Sequence, residues 1–312
     1  MKKKQLAFVF PGQGSQSIGM LKDISQTYKA IKDRFDQASD VLHKDLWQLV
    51  QLGPAEQLNS TENTQPILLA SSIAIWDICL EIGCPTPTKL AGHSFGEYSA
   101  LVCSEVISYE DALVLVAARG KYMQEAAPKD NGSMAAILGL SLEALEPICA
   151  ESSCNGESCE PANLNSRQQI VVAGTTKGVE RTCEIATARG AKKTVPLKVS
   201  APAHSQLMLP AAEKLSEMIN RISFFTPKIE IVHNYDVSTH DDPEAIKNAL
   251  IKQMTHPVRW YETVENLASS GVTQIVECGP GNVLSGLIKR TDKTIQCIRG
   301  DDPLAVIESL AS

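Results

Sequence analysis

The pentapeptide Gly92-His93-Ser94-Phe95-Gly96 stands between a short apolar strand, Lys89–Gly92, and a helical stretch that begins at Glu97. A G-x-S-x-G sequence in that setting forces a turn too tight for side chains at its glycines and leaves the serine exposed at the strand's carboxyl end. The following helix brings free N–H groups and the positive end of its dipole beside the hydroxyl. The opening run Leu6–Phe10 also ends in a glycine turn, Pro11-Gly12-Gln13-Gly14-Ser15-Gln16. That turn is no phosphate loop: no lysine follows Gly14, and Ser17 stands where a dinucleotide fingerprint needs its third glycine.

Hydrophobic periodicity predicts helices over 25–43 and 65–82, the latter ended by Gly83-Cys84-Pro85. A further helix starts at the capping box Ser108/Asp111 and runs to about Ala127, before the breaker 128–132. Residues 133–198 then read strand 134–140, helix 142–150, strands 162–165 and 169–173, helix 178–188, and strand 193–198. This β-α-β-β-α-β order is the split, ferredoxin-like arrangement. After Pro202 the alternation resumes with a helix at 206–221, a strand at 229–233, helices at 243–254 and 259–269, and a strand at 274–277. Cys278-Gly279-Pro280-Gly281 and a last pair of elements follow. The expectation is an α/β fold with a largely parallel sheet, built from 1–128 and 199–312, into which a ferredoxin-like domain, 129–198, is inserted.

The chain of 312 residues carries a formal charge of −7, so it is no general binder of nucleic acid or anionic membrane. No stretch approaches the ~20 apolar residues of a membrane span. The gaps between Cys149, Cys154 and Cys159 do not suit a zinc site, and the nine cysteines read as reduced thiols. The apolar run after Met1-Lys2-Lys3-Lys4 is too short for a signal peptide, so a cytoplasmic protein is expected.

A serine hydroxyl needs a base. Of six histidines, His93 adjoins the serine, but neighbouring side chains diverge at such a turn. His43 falls in an exposed helical region, His240 in a polar turn, and His233 and His256 are undecided. His204, in the loop Ala201–Ser205 before a helix, is the better candidate. Between Asp111 and His204 the only aspartate is Asp130, so a Ser-Asp-His triad fits poorly and a dyad held by a neutral carbonyl is possible. Arg119 follows seven consecutive apolar residues, so it either snorkels to water or lies buried against an anion. Glu97 reads as a helix-start carboxylate with a structural role, worth about 0.3–1 kcal/mol.

The segments FPGQGSQSIGML, GHSFGEYSALVCSEVIS, ARGKYMQEA, PANLNS, SAPAHSQLM, QMTHPVRW and ECGPGNVLSGLIKR, in this order, resemble the malonyl-CoA:acyl-carrier-protein transacylases of type II fatty acid synthesis over roughly residues 5–290. The resemblance implies a hydrolase-like core with a ferredoxin-like insertion. It makes Ser94 the acyl-accepting nucleophile and His204 its base. Backbone N–H groups of Gln13 and Phe95 would form the oxyanion hole, and Arg119 would hold the free carboxylate of malonate. Gln253 would orient the histidine through its carbonyl, and Asn163 matches an active-site asparagine. It further implies ping-pong transfer between malonyl-CoA and the phosphopantetheine thiol of acyl carrier protein, both substrates, with no cofactor and no metal. Arg189, Lys192, Lys193, Lys289 and Arg290 are candidate docking residues for an acidic carrier protein. A monomer is expected. A serine thioesterase or esterase, a non-catalytic relative, and a transferase of another acyl group such as methylmalonyl are the competing readings.

Overall fold

The apolar run that opens the chain becomes the central strand β1 (Gln5–Phe10), buried from Leu6 to Phe10 as a parallel strand covered on both faces must be. The computed structural model describes residues 5–127, 132–197 and 201–311. β1 pairs in parallel with β2 (Lys89–Gly92) on one side and β8 (Val272–Glu277) on the other. β7 (Glu230–Val232) and β9 (Gln296–Arg299) complete a five-stranded sheet of order β7-β2-β1-β8-β9, with every pair parallel.

A second, antiparallel sheet of order β4-β5-β3-β6 is formed by β3 (Gly132–Leu138), β4 (Cys159–Ser166), β5 (Gln169–Thr175) and β6 (Lys193–Pro196). Helices Leu142–Ser152 and Thr176–Ala188 supply its two crossovers, and this strand order is that of the ferredoxin-like arrangement. The expected boundaries at 128/129 and 198/199 lie outside the described residues.

Helix α1 (Thr61–Glu81) is apolar nearly all round and accordingly buried on every side. It lies against β1, where Trp76 meets Phe8 edge to face at 5.3 Å between ring centroids. Helix α2 (Gly96–Cys103) follows β2, and α3 (Tyr109–Ala126) starts at Ser108, whose hydroxyl oxygen accepts the Asp111 amide at 3.0 Å. Helix α4 (Pro243–Gln253) precedes a short extended stretch that touches the second sheet, Val258 bridging to Asn163. Helix α5 (Val283–Thr291) is capped by Glu277, whose carboxylate accepts the amides of Leu284 and Ser285, each at 2.8 Å.

Three expectations change. The helix read over 25–43 is two pieces, Ile24–Thr27 and Ala30–Leu42, because Tyr28 is extended between them. Helix Leu46–Leu52, short and capped by Asp45, had no periodicity long enough to register. The chain ends in three elements after the CGPG loop, not two: α5, β9 and helix Pro303–Ala311.

Helices α1 and α3 meet so closely that a Cβ on Gly120 would sit 2.6 Å from the carbonyl oxygen of Thr61. Gly286, within α5, has nothing within 4 Å of the same position. Gly120→Ala is therefore expected to destabilise the fold by about 1–3 kcal/mol. Gly286→Ala is expected to stabilise it by about 0.5–1 kcal/mol through helix propensity. Urea unfolding of the two variants beside wild type checks both signs.

Candidate active site

Phe10 pairs with Gly92, so the loops leaving β1 and β2 share one crevice at the carboxyl edge of the parallel sheet. Their approach is close. A Cβ on Gly96 would lie 2.3 Å from the Phe10 carbonyl oxygen, and one on Gly92 would lie 2.0 Å from the Gly96 carbonyl carbon. Both glycines are thus required by backbone proximity. Ser94, between them, takes a left-handed φ of 55°, uncommon for a residue with a side chain.

The Ser94 Oγ is 2.7 Å from His204 Nε2, and His204 Nδ1 is 2.8 Å from the backbone oxygen of Gln253. Gln253 is the last residue of α4, where helix carbonyls have no partner within the helix. A carbonyl only accepts, so Nδ1 carries the proton and Nε2 is left bare to accept the serine O–H. His204 is buried. Burial first, and the Arg119 charge second, hold its pKa down to about 3, so the imidazole is neutral at neutral pH.

Arg119 does not snorkel; it is 1% exposed. Nη2 donates to Ser94 Oγ at 3.1 Å and to Gln253 Oε1 at 3.3 Å, and Nη1 donates to Gln65 Oε1 at 3.0 Å. Burial pushes its pKa down, while nearby Tyr98 and Glu97 pull it back up. Among the described residues its Nε is buried without a partner, and no carboxylate forms an ion pair with it. The guanidinium lines a cavity of about 400 Å³ together with Gln13, Ser94, Phe95, Asn163, His204 and the apolar side chains of Met123, Met134 and Leu197. Among the described residues the amides of Gln13 and Phe95 have no intramolecular acceptor. Ser94's own amide is occupied, donating to Asn234 Oδ1 at 2.7 Å.

Ser94, His204, Arg119, Gln13, Phe95, Gln253 and Asn163 thus come together around one cavity or directly behind it. His93 also lines the cavity, but its Nε2 is engaged with Asn165 Oδ1 at 2.8 Å and makes no hydrogen bond to Ser94 among the described residues. Glu97 stands in the first turn of α2, as expected, but it is not a solvent-facing helix-start carboxylate. It is fully buried and receives hydrogen bonds from His233, Asn234 and Gln253, which the local helix pattern could not reveal. The Gln253 side chain has work of its own, its amide donating to the Ser94 carbonyl oxygen at 3.0 Å. Since only the backbone carbonyl of Gln253 meets the histidine, Gln253→Asp would not set a carboxylate on Nδ1. Asn234 and Gln65 were missed entirely. Gln65 alone left a trace, as a polar residue opening a long apolar helix. The five basic residues are exposed on the surface, Arg189 paired to Glu151 at 2.5 Å and Arg290 donating to Gln169 Oε1 at 2.7 Å.

A serine hydroxyl on a strained strand–helix turn, facing a neutral imidazole at the carboxyl edge of a parallel sheet, is equipped to take up and pass on an acyl group, which defines an acyl-transferring class of protein. The profile of the acyl transferase domain matches residues 7–306. The chain belongs to that family and, within it, to the malonyl CoA-acyl carrier protein transacylases; it is an acyltransferase. The transacylase of Salmonella typhimurium is 46% identical over 306 residues, covering 98% of this chain and 99% of that protein. The Bacillus subtilis protein is 44% identical over 299 residues, covering 96% and 94%. The solved transacylase of Coxiella burnetii superposes with a TM-score of 0.97 at 43% identity, over 99% of this chain and 97% of that one. A malonyl-transacylase solved in complex with a type II PKS acyl-carrier protein superposes with a TM-score of 0.96 at 47% identity, over 99% of each.

The unfolded chain protonates its histidines near pH 6.5, and the fold protonates His204 only near 3. Between those values the unfolded state binds more protons, so His204 makes stability fall as pH drops through that window and contributes no pH dependence above it. Histidine NMR titration is expected to show His204 neutral well below pH 6, and its pKa should rise in Arg119→Ala. An unchanged value in that variant would refute the electrostatic account.

Proposed function

We propose that this chain moves the malonyl group from malonyl-CoA to the phosphopantetheine thiol of an acyl carrier protein, through a malonyl ester on Ser94. The observation that carries this reading is Arg119: a buried cation without an anionic partner among the described residues, 3.1 Å from the hydroxyl that would bear the acyl group. Planar guanidinium matches a carboxylate with two parallel hydrogen bonds. An acetyl group would leave that cation unpaired, which disfavours it.

In the proposed cycle Ser94 Oγ attacks the thioester carbonyl while His204 Nε2 takes the hydroxyl proton. The oxyanion is held by the free amides of Gln13 and Phe95; losing one such donor typically costs ~10²–10³ in rate. The C–S bond breaks, and coenzyme A leaves as a thiol with the proton from His204. The carrier-protein thiol then gives its proton to His204, attacks the ester, and returns Ser94 to its hydroxyl. The Gln253 backbone carbonyl keeps the imidazole in the required tautomer without adding a negative charge. Asn163 supplies a polar wall. No cofactor takes part, the protein acts as a cytoplasmic monomer, and residues 129–198 act as a separate inserted domain.

The related complex supports an acyl carrier protein as partner. For its docking surface we favour the five basic residues. Leu138 pairs with Lys193 on one side and Gln169 on the other, and Gln169 is the residue Arg290 reaches. Lys192, Lys193, Lys289 and Arg290 thus gather at one end of the antiparallel sheet, while Met134 and Leu197, toward the other end, line the cavity.

Intact-mass analysis after mixing with malonyl-CoA should find one added malonyl group on wild type and none on Ser94→Ala. Arg119→Ala should lose roughly 10²-fold in malonyl kcat/KM and with it the discrimination against acetyl-CoA. Equal labelling of wild type by both thioesters would refute the assignment. Reversing Lys192 and Lys193 to glutamate should raise the KM for carrier protein and flatten its salt dependence while leaving acylation by malonyl-CoA intact; unchanged carrier-protein kinetics would exclude this face.

A further inference from the structure

We propose that Asn234 and Glu97 are positioning residues for the Ser94 nucleophile: Asn234 clamps the two peptide units that enter the left-handed turn, and Glu97 anchors Asn234 and Gln253 behind it. The placement begins with strand register. β7 pairs with β2 through Val232 and Ala91, so the chain leaving β7 at His233-Asn234 runs beside the chain leaving β2 at Gly92-His93-Ser94. Asn234 uses both ends of its side-chain amide there. Oδ1 accepts the Ser94 N–H at 2.7 Å, and Nδ2 donates to the Gly92 carbonyl oxygen at 2.6 Å. One planar group thereby fixes the two successive peptide units, on either side of His93, that lead into the strained residue.

The clamp decides which amide is free for chemistry. With the Ser94 N–H consumed by Asn234, the Phe95 N–H is the one left at the helix start to meet a developing oxyanion. Glu97 holds the clamp in place. It is wholly buried, accepts from His233 Nδ1 at 2.6 Å on one oxygen, and accepts from the Asn234 backbone N–H at 3.0 Å and from Gln253 Nε2 at 2.8 Å on the other. Gln253 carries the carbonyl that orients His204 and touches Arg119 through Oε1. One carboxylate therefore ties together the supports of the serine, the imidazole and the guanidinium, though it touches none of the reacting atoms. The requirement is for an acceptor of three N–H groups, so glutamine, which keeps one oxygen for two of them, should partly replace it.

This proposal rests on Ser94 as the acyl carrier. The test is the single-turnover rate of malonyl-Ser94 formation by mass spectrometry, across malonyl-CoA concentrations, on variants shown to be folded by circular dichroism. Asn234→Ala is expected to lower the saturating rate about 10²-fold, the scale of an ångström's misplacement, with the half-saturating concentration unchanged. Glu97→Ala is expected to fall similarly, and Glu97→Gln to recover much of that loss. A folded Asn234→Ala with a wild-type saturating rate, or with a defect only in half-saturation, overturns the proposal. So does a Glu97→Gln no better than Glu97→Ala. If Asn234→Ala does not fold, the near-isosteric Asn234→Asp, which keeps an oxygen for the Ser94 amide but cannot donate to Gly92, must show a reduced saturating rate. Failure of both to fold overturns positioning in favour of a purely structural role. Wild type that takes up no malonyl group would instead refute the acyl-serine reading itself.

Discussion

Backbone proximity between the first two parallel strands governs the rest of this structure. The carbonyl of Phe10 and the start of the helix at Gly96 approach until no Cβ fits between them, and Gly92 is pressed as tightly against Gly96. Ser94 is thrown into the left-handed region as a consequence. Such strain costs of order 1–3 kcal/mol and persists only where the surroundings over-determine it. Here they do: Asn234 holds the two peptide units leading into Ser94, and the Gln253 side-chain amide holds the Ser94 carbonyl that follows.

The electrostatics of the cavity follow from what is buried together. A cation and an imidazole line one cavity, and the charge of Arg119 disfavours a second positive charge on His204. The imidazole yields, staying neutral, while Arg119 is held by two glutamine oxygens, those of Gln65 and Gln253, and by the serine oxygen. A carboxylate behind His204 would raise its proton affinity and add a negative charge to a cavity proposed to receive an anionic acyl group. A helix-end carbonyl orients the ring without either effect.

Much of the architecture was legible in the chain. The β-α-β-β-α-β block, the Ser108 cap and the serine turn are all encoded within a few neighbouring residues, where hydrophobic period and turn chemistry speak directly. Short elements were not, because Leu46–Leu52 spans too few turns to display a period. The burial and partners of Glu97 were hidden for a related reason. Its neighbours in sequence mark only a helix start, while its actual partners, His233, Asn234 and Gln253, lie more than a hundred residues away.

By itself, then, the sequence determined the serine turn, the glycines that permit it, the order of the longer strands and helices, and the family to which the motifs point. Tertiary structure alone decided that Arg119 is buried rather than snorkelling, that Glu97 lies buried against distant partners, and that Asn234 occupies the serine's amide. The division has a physical cause. Turns and periodicities arise from interactions between residues close in the chain, whereas burial, proton affinity and hydrogen-bond partnership depend on which distant segments the parallel sheet brings to one edge.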